Sequence, residues 1–95
     1  MALGRGVVAT IGLRVSGDTR VTVAQLATLE TVGYVVVTAG SFDLIVEVVC
    51  TDEAELLAVI HDQIRSIDGV RETETFMHLH TEKNVFAWGQ RLPQA

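Results

Sequence analysis

The chain has 95 residues and a formal net charge of −5, with 48% hydrophobic and 20% charged residues. This excess of acidic residues excludes nucleic-acid binding by phosphate neutralisation, which needs clustered Lys and Arg side chains. The length is that of one domain, and so much apolar surface on so small a domain favours an oligomer.

The cysteine content and the lengths of the apolar runs indicate the cellular compartment of the protein. The single cysteine, Cys50, excludes an internal disulfide and suits a reducing environment. No apolar run approaches the roughly 20 residues that cross a bilayer, and the first residues lack the form of a signal peptide. We therefore expect a cytoplasmic protein with no membrane partner. The predicted domain fills residues 1–95, as a core of 5–83 and a C-terminal arm of 84–95.

A strand and a helix are predicted first. Residues 7–15 alternate as a strand does, with one apolar face made of Val7, Ala9, Ile11, Leu13 and Val15. Gly12 falls on the other face, where a glycine often marks a bend or a close approach. Residues 19–30 predict a helix whose apolar stripe is Val23, Leu26 and Ala27.

Two β-branched runs then predict a hairpin. Its arms, residues 32–38 and 42–50, are separated by Ala39, Gly40 and Ser41, and we expect Gly40 to take the positive φ of a short turn. One face of the second arm is wholly apolar and consists of Phe42, Leu44, Val46, Val48 and Cys50. The other face mixes acidic and apolar residues, namely Asp43, Ile45, Glu47 and Val49. The pattern indicates a strand covered by helices on the first face and by a partner subunit on the second.

A second helix and a fourth strand complete the predicted order. Asp52 with Glu55 resembles a capping box at the helix start, and Gly69 supplies a left-handed cap at its end. The predicted core stripe of this helix is Leu57, Ile60, Ile64 and Ile67, flanked by Leu56. Residues 70–80 predict the fourth strand, and residues 85–88 are either a fifth strand or a packing arm.

The order of these elements predicts a fold. A βαββαβ chain is typical of the ferredoxin-like α+β fold, with a four-stranded antiparallel sheet. Two right-handed crossovers would put both helices on one side of that sheet. The other side would be bare although it carries Ile45, Val49 and Phe76, so we expect self-association to cover it, as in dimeric α+β barrels.

Several short motifs occur in a distinctive order. Leu-Gly at residues 3–4 precedes the first strand, residues 38–44 are Thr-Ala-Gly-Ser-Phe-Asp-Leu, and residues 69–75 are Gly-Val-Arg-Glu-Thr-Glu-Thr. With these motifs on a βαββαβ pattern, residues 3–83 resemble the effector-binding (RAM) domain of the Lrp/AsnC, or feast/famine, transcription regulators. The shared features are a glycine and an aromatic-Asp-Leu in the hairpin, and a Gly-Val followed by two alternating threonines.

The resemblance implies an assembly and a site. The assembly is a homodimer formed through the open sheet faces, with an octamer of four dimers as the larger form and amino-acid effectors between dimers. The six implied ligand-binding residues are Gly40, Phe42 and Asp43 in the pocket, Leu44 as its apolar wall, and Thr73 and Thr75 as nearby polar groups. Phe42 stands where tyrosine is common in the family, which removes a hydroxyl. Because the family's helix-turn-helix is missing, we expect either a stand-alone member, with a full-length Lrp/AsnC-type partner, or part of a longer regulator.

An amino-acid ligand suits these residue types without any catalysis, metal or cofactor. A carboxylate such as Asp43 pairs with an ammonium group, and backbone N–H groups at a glycine turn bind a carboxylate. Asp43 is equally suited to accepting bonds from backbone N–H groups of its own turn, and Thr73 and Thr75 are good strand formers without any ligand. His78 and His80 have a spacing that can ligate a metal, but no third ligand is evident, so no metal is expected.

Three other functions fit the same pattern. A small dimeric α+β-barrel enzyme, such as a cofactor-free monooxygenase or an isomerase, would need a cavity between sheet and helices lined by His, Asn, Trp or Tyr. An ACT-like regulatory module would bind similar ligands but join its strands side by side across subunits, and a purely structural assembly domain would bind none. Few catalytic residue types lie on the helix-facing rows, so we expect a regulatory module and no enzyme.

Overall fold

A computed structural model describes residues 6–83, and the predicted arm at 84–95, with the apolar segment 85–88, lies outside the described residues. The elements follow the predicted order: β1 (Val7–Val15), α1 (Thr19–Ala27), β2 (Val32–Val37), β3 (Leu44–Cys50), α2 (Glu53–Ala58) and β4 (Val70–Met77). The second helix continues beyond α2 as a π-helical segment, Val59–Ile64.

The four strands form one antiparallel sheet in the order β2-β3-β1-β4. Each helix therefore connects two strands that have one other strand between them, which is the split βαβ arrangement of the ferredoxin-like fold. The predicted α+β fold class is confirmed. No helix in the described part of the chain is long and apolar enough to span a bilayer.

One face of the sheet and both helices enclose the core. The buried strand residues are Ala9, Ile11 and Leu13 of β1 and Leu44, Val46, Val48 and Cys50 of β3. The buried helical residues are Leu26, Leu56, Val59 and Ile64. Each is at most 4% exposed, and burying a Val, Leu or Ile side chain stabilises the fold by about 1.5–3 kcal/mol relative to leaving it in water. The alternation predicted for both strands is confirmed at these positions.

The helix α1 is rotated relative to the prediction. It buries Thr22 and Leu26, with Val23 at the edge of the core, whereas the predicted core residue Ala27 is exposed. A methyl group gains little from burial, so Ala27 has little influence on which side of the helix meets the sheet. The helix ends at Ala27 and not at residue 30, and Leu29 packs against the core from beyond its end.

The predicted stripe of the second helix is confirmed at Ile64, which is buried, and at Ile60 and Ile67, which pack against the core, but it was wrong at Leu57. The helix is not α-helical throughout. Arg65 N donates to Ile60 O at 2.9 Å, a bond that spans five residues and is the mark of a π-helix. The wider turn puts five residues between the buried Val59 and Ile64, and the buried residue before them is Leu56. Leu57 is 57% exposed in consequence.

The predicted cap at the start of the second helix is confirmed. Glu55 N donates to Asp52 Oδ1 at 2.8 Å, and Glu55 Oε1 accepts from Thr51 N at 2.6 Å. Gly69 has a left-handed φ of +98°, but the helix ends at Ile64 with Arg65 as its C-cap, so the predicted helix end at Gly69 was wrong. Burial raises the pKa of the Cys50 thiol, and the carboxylates of Glu55 and Asp52 raise that pKa further, so this buried thiol stays protonated.

Substitutions at two glycines can distinguish the stability cost of backbone strain from the cost of steric crowding. Gly17 has a φ of +82° and Gly69 a φ of +98°. A Cβ added at Gly17 would meet nothing within 4 Å, whereas a Cβ added at Gly69 would lie 2.9 Å from Ser16 O. Gly17→Ala is expected to lower the free energy of unfolding by about 1–2 kcal/mol through its positive φ alone. Gly69→Ala should cost at least about 1 kcal/mol more, because the Ser16 carbonyl has to move as well. Urea denaturation of the two variants measures the difference, and equal losses would contradict the crowding.

Candidate functional site

The sheet face opposite the helices has no cover within residues 6–83. Its apolar side chains are Val8, Tyr34, Val36, Ile45, Val49 and Phe76, which the strand register places together. Four of them are 45–49% exposed: Tyr34, Val36, Val49 and Phe76. We call this surface the open face. The prediction that one side of the sheet is bare in the protomer is confirmed for the described residues.

Phe42 lies on the open face, so its predicted position beside Leu44 on the helix-covered face was wrong. The ring fills the space above Gly12, where an added Cβ would lie 2.6 Å from Phe42 Cδ2. It meets the Phe76 ring edge-on with centroids 6.4 Å apart, and the guanidinium carbon of Arg14 lies 5.8 Å from its centroid. β3 begins at Leu44, so strand alternation does not extend back to Phe42. Gly12 does mark a close approach, as predicted, and the approaching group is this ring.

The hairpin connection is a loop of residues 38–43 and not a three-residue turn. Thr38 N donates to Asp43 O at 3.0 Å, and Thr38 Oγ1 donates to Phe42 O at 2.7 Å. These bonds close the loop without any left-handed residue. Gly40 does not have a positive φ, and an added Cβ would meet nothing within 4 Å, so the predicted conformational need for glycine was wrong.

Asp43 joins the loop to β1. Its Oδ2 accepts a hydrogen bond from Val15 N at 2.9 Å, and its backbone N donates to Leu13 O at 2.9 Å. The register between β1 and β4 shifts at Arg14 and Val15, so a carboxylate oxygen here pairs an N–H at an irregular strand end. The predicted backbone role of Asp43 is thus observed, although its N–H partner belongs to β1 and not to the loop. The predicted ligand role stays a prediction.

The other predicted site residues lie on the opposite side of the sheet from Phe42. Thr73 is paired with Leu13 and Thr75 with Ile11, so both threonines face the helices. Leu44 has no exposed surface at all. A side chain in that position supports the loop from the core, and the predicted role of Leu44 as an apolar wall of the pocket stays a prediction.

An open cleft of about 810 Å³ lies at the end of the sheet, where the loop, β4 and the end of the second helix meet. Two predicted site residues, Phe42 and Thr73, line it. The other lining residues are Arg14, Ser41, Arg65, Val70, Arg71, Glu72 and Glu74. We call this the loop cleft, and its volume is in the range typical of small-molecule sites.

The arginines of the loop cleft were not predicted as site residues. Glu72 is paired across the strands with Arg14, and Arg14 Nε lies 3.0 Å from Glu72 Oε1. Arg65 reaches the cleft from the end of the π-helical segment. The alternation along β4 hinted at Glu72 and Glu74 on one face, but nothing local in the sequence places Arg65 beside them.

A second, smaller cleft of about 350 Å³ contains Glu47, His78 and His80 at the other end of the sheet. His78 Nε2 lies 2.7 Å from Thr10 Oγ1, and His80 Nε2 lies 3.1 Å from Glu82 Oε2. Each imidazole thus has its own partner. Within residues 6–83, no three His, Cys, Asp or Glu side chains come together as a metal site would require.

Comparison with known families identifies the domain. The sequence model described as the Lrp/AsnC ligand binding domain matches residues 8–87. The chain belongs to this family. No curated protein matches it.

Several solved structures have the same fold. E. coli AsnC aligns with a TM-score of 0.81 and 27% identity, over 86% of this chain and 56% of its own chain. The protein TTHA0845 of Thermus thermophilus aligns with a TM-score of 0.77 and 28% identity, over 82% of this chain and 99% of its own. The transcriptional regulator NMB0573 of Neisseria meningitidis, solved as a complex with L-Met, has a TM-score of 0.79 and 20% identity, over 87% of this chain and 56% of its own. This chain therefore spans little more than half the length of AsnC.

The contact between Phe42 and Gly12 can be tested with a matched pair of variants. Gly12→Ala places a Cβ 2.6 Å from the ring and forces the ring away, whereas Gly40→Ala adds a methyl group to open space. We expect Gly12→Ala to lower the free energy of unfolding by about 1–3 kcal/mol, the usual cost of overpacking. Gly40→Ala should change it by less than about 0.5 kcal/mol. Chemical denaturation measures both, and a neutral Gly12→Ala would show that the ring is not held there.

Proposed function

We propose that this chain is the effector-binding and oligomerisation domain of a transcription regulator, and that it binds a small amino-acid ligand without catalysis. The observation that carries the proposal is an apolar open face with the loop cleft at its border. Phe42 and Arg14 belong to both surfaces, since each lies on the open face and lines the cleft. Occupancy of the cleft is therefore placed to affect how copies of the chain meet.

The open face supports assembly into a homodimer. Side chains such as Phe76 and Val49 remain nearly half exposed in one protomer, and contiguous apolar surface of this kind usually marks an interaction site. A second copy is the natural cover because an isologous contact needs one self-complementary surface. The net charge of −5 on each copy makes copies repel at long range, so the apolar contact has to exceed that repulsion.

The loop cleft supports a ligand bound between dimers. It is open in one protomer, and a ligand there would be enclosed once a second dimer covers it. In the site that we propose, Phe42 offers its ring, and Asp43 holds the loop to β1. Gly40 leaves the loop free of a side chain at that position, and Thr73 borders the cleft from the helix-facing side of β4. Leu44 and Thr75 hold the adjoining strands from the core side. The L-Met bound by the Neisseria meningitidis regulator, which has the same fold, supports an amino-acid ligand.

A regulatory role needs no chemistry at the site. A ligand that contacts two dimers stabilises their contact by its higher affinity for the assembled state, and an octamer of four dimers is the assembly that we propose. An enzyme of the α+β-barrel kind would need a cavity between sheet and helices. In this chain that space is occupied by tightly buried side chains such as Ile11, Val46 and Leu26, which disfavours the enzyme.

Assembly through the open face can be tested with two exposed apolar residues of similar accessibility. Val49 on the open face is 49% exposed, and Leu57 on the outer side of the second helix is 57% exposed. We expect Val49→Lys to shift the protein to monomer, because two copies would bury an unpaired ammonium group. Leu57→Lys should leave the assembly intact. Light scattering after size exclusion gives both masses, and a monomeric wild-type protein would refute the proposal.

Amino-acid binding can be tested by thermal shift against the twenty common L-amino acids. A ligand at about 100 times its Kd adds about 2.7 kcal/mol to the free energy of unfolding. For a domain of this size that corresponds to a rise in Tm of roughly 10–20 °C. The D-enantiomer of each active compound is the matched control and should give a smaller shift. No shift with any amino acid would leave an assembly domain without a sensing role.

A further inference from the structure

The side chains of the loop cleft carry an uneven set of charges. Three of its lining residues are arginines and two are glutamates, in a chain whose formal net charge is −5. The cleft is thus locally cationic on an acidic protein. Such a local reversal of sign attracts anions to one place, because the rest of the surface repels them.

One ion pair within the cleft is already complete. Arg14 Nε lies 3.0 Å from Glu72 Oε1, and the same guanidinium group lies over the Phe42 ring. This pair is charge-neutral as a unit and fixes the position of the arginine. The ion pair lies beside Phe42, and the other three charged residues of the cleft remain available to bind a ligand.

Those remaining charges are Arg65, Arg71 and Glu74. Among the ion pairs formed within residues 6–83, none includes any of the three. Arg65 Nη1 lies 3.4 Å from His61 Nδ1, a contact that leaves most of its N–H donors unused. Glu74 is paired across the strands with Gly12, so it lies next to the Phe42 ring that covers that glycine.

We propose that the loop cleft selects an acidic α-amino acid, of the glutamate or aspartate class. Such a ligand has two carboxylates and one ammonium group, which complement Arg65, Arg71 and Glu74 one for one. Guanidinium groups bind carboxylates with paired, charge-assisted hydrogen bonds. The methylene groups of the ligand lie against the Phe42 ring. This assignment rests on the proposed function, since it names the ligand of the same cleft.

A neutral amino acid matches the cleft less well. A neutral amino acid carries one carboxylate, so either Arg65 or Arg71 would have no counter-charge once the ligand covers the cleft. A basic amino acid adds a cation beside two others and is repelled. The discrimination is therefore expected to follow the charge of the ligand side chain and not its size, which is a sharp distinction from a purely apolar pocket.

The test is calorimetric titration of the full chain with L-glutamate, L-glutamine, 2-oxoglutarate and L-lysine. Glutamate and glutamine have the same shape and differ in charge, and glutamate is expected to bind roughly 10-fold more tightly at about 0.1 M salt. Lysine should be the weakest of the amino acids. 2-Oxoglutarate lacks the ammonium group and should bind more weakly than glutamate, and equal or tighter binding would overturn the role of Glu74.

Two variants locate the effect. Of Arg65→Gln and Arg71→Gln, the variant that loses the partner of the ligand side-chain carboxylate should bind glutamate roughly 10-fold more weakly and lose the preference over glutamine, with its affinity for glutamine changed by less than about 3-fold. The other variant loses the partner of the α-carboxylate and should weaken the binding of both ligands by a similar factor. Arg20→Gln is the matched control, because Arg20 pairs with Asp18 at the start of α1 and does not line the cleft. All three side chains are exposed, so the variants should fold, and circular dichroism checks this.

The outcomes distinguish this inference from the proposed function. If glutamine or an apolar amino acid binds as tightly as glutamate, or if Arg65→Gln and Arg71→Gln bind glutamate as the wild type does, the acidic ligand is refuted and the amino-acid sensor stands. If no amino acid binds, the proposed function is refuted and the inference with it. A preference for glutamate that one of the two variants abolishes, while the other variant weakens glutamate and glutamine alike, supports both.

Discussion

β3 carries two rows of side chains that face different environments, and this difference determines where the other elements lie. Leu44, Val46 and Val48 have no exposed surface, whereas Glu47 and Val49 point away from the helices. Because strand side chains alternate, a slip of one residue would exchange the two rows and expose the core. The register of β1 and β2 against β3 is therefore fixed, and the loop between β2 and β3 leaves the sheet at a defined position.

The loop cleft is a consequence of that register. With β3 fixed, the loop passes over β1 at Gly12, whose missing side chain leaves room for the Phe42 ring. Asp43 then bonds the N–H of Val15 and holds the loop to the end of β1. The same strand end lies beside the start of β4, where Arg71 and Glu72 are, and near Arg65 at the end of the second helix. Residues far apart in the chain thus meet because the loop, the end of β1, the start of β4 and the end of the second helix lie close together.

A single protomer leaves two neighbouring surfaces uncovered, and this arrangement suits a regulatory role. Its core is closed on the helix side, while the open face and the loop cleft both look toward solvent. Because Phe42 and Arg14 belong to both surfaces, contact between copies and binding in the cleft would share side chains. Shared contacts are the physical requirement for coupling between ligand binding and assembly, since a ligand shifts an equilibrium by its differential interactions with two states. The match to the Lrp/AsnC ligand binding domain is consistent with such a module.

The sequence by itself determined the order of the elements, the bare side of the sheet and the cap at Asp52, because strand alternation and capping depend on residues close together in the chain. Local patterns did not place Leu56 in the core instead of Leu57, since an apolar stripe at α-helical spacing does not show where a helix widens into a π-helical turn. Nor did they place Phe42 on the open face, because its position depends on a gap at Gly12, thirty positions earlier in the chain. The assembly of Arg14, Arg65 and Arg71 around one cleft was decided by the tertiary structure alone, since charges on three separate elements are brought together by the packing of those elements and by no property of any one segment.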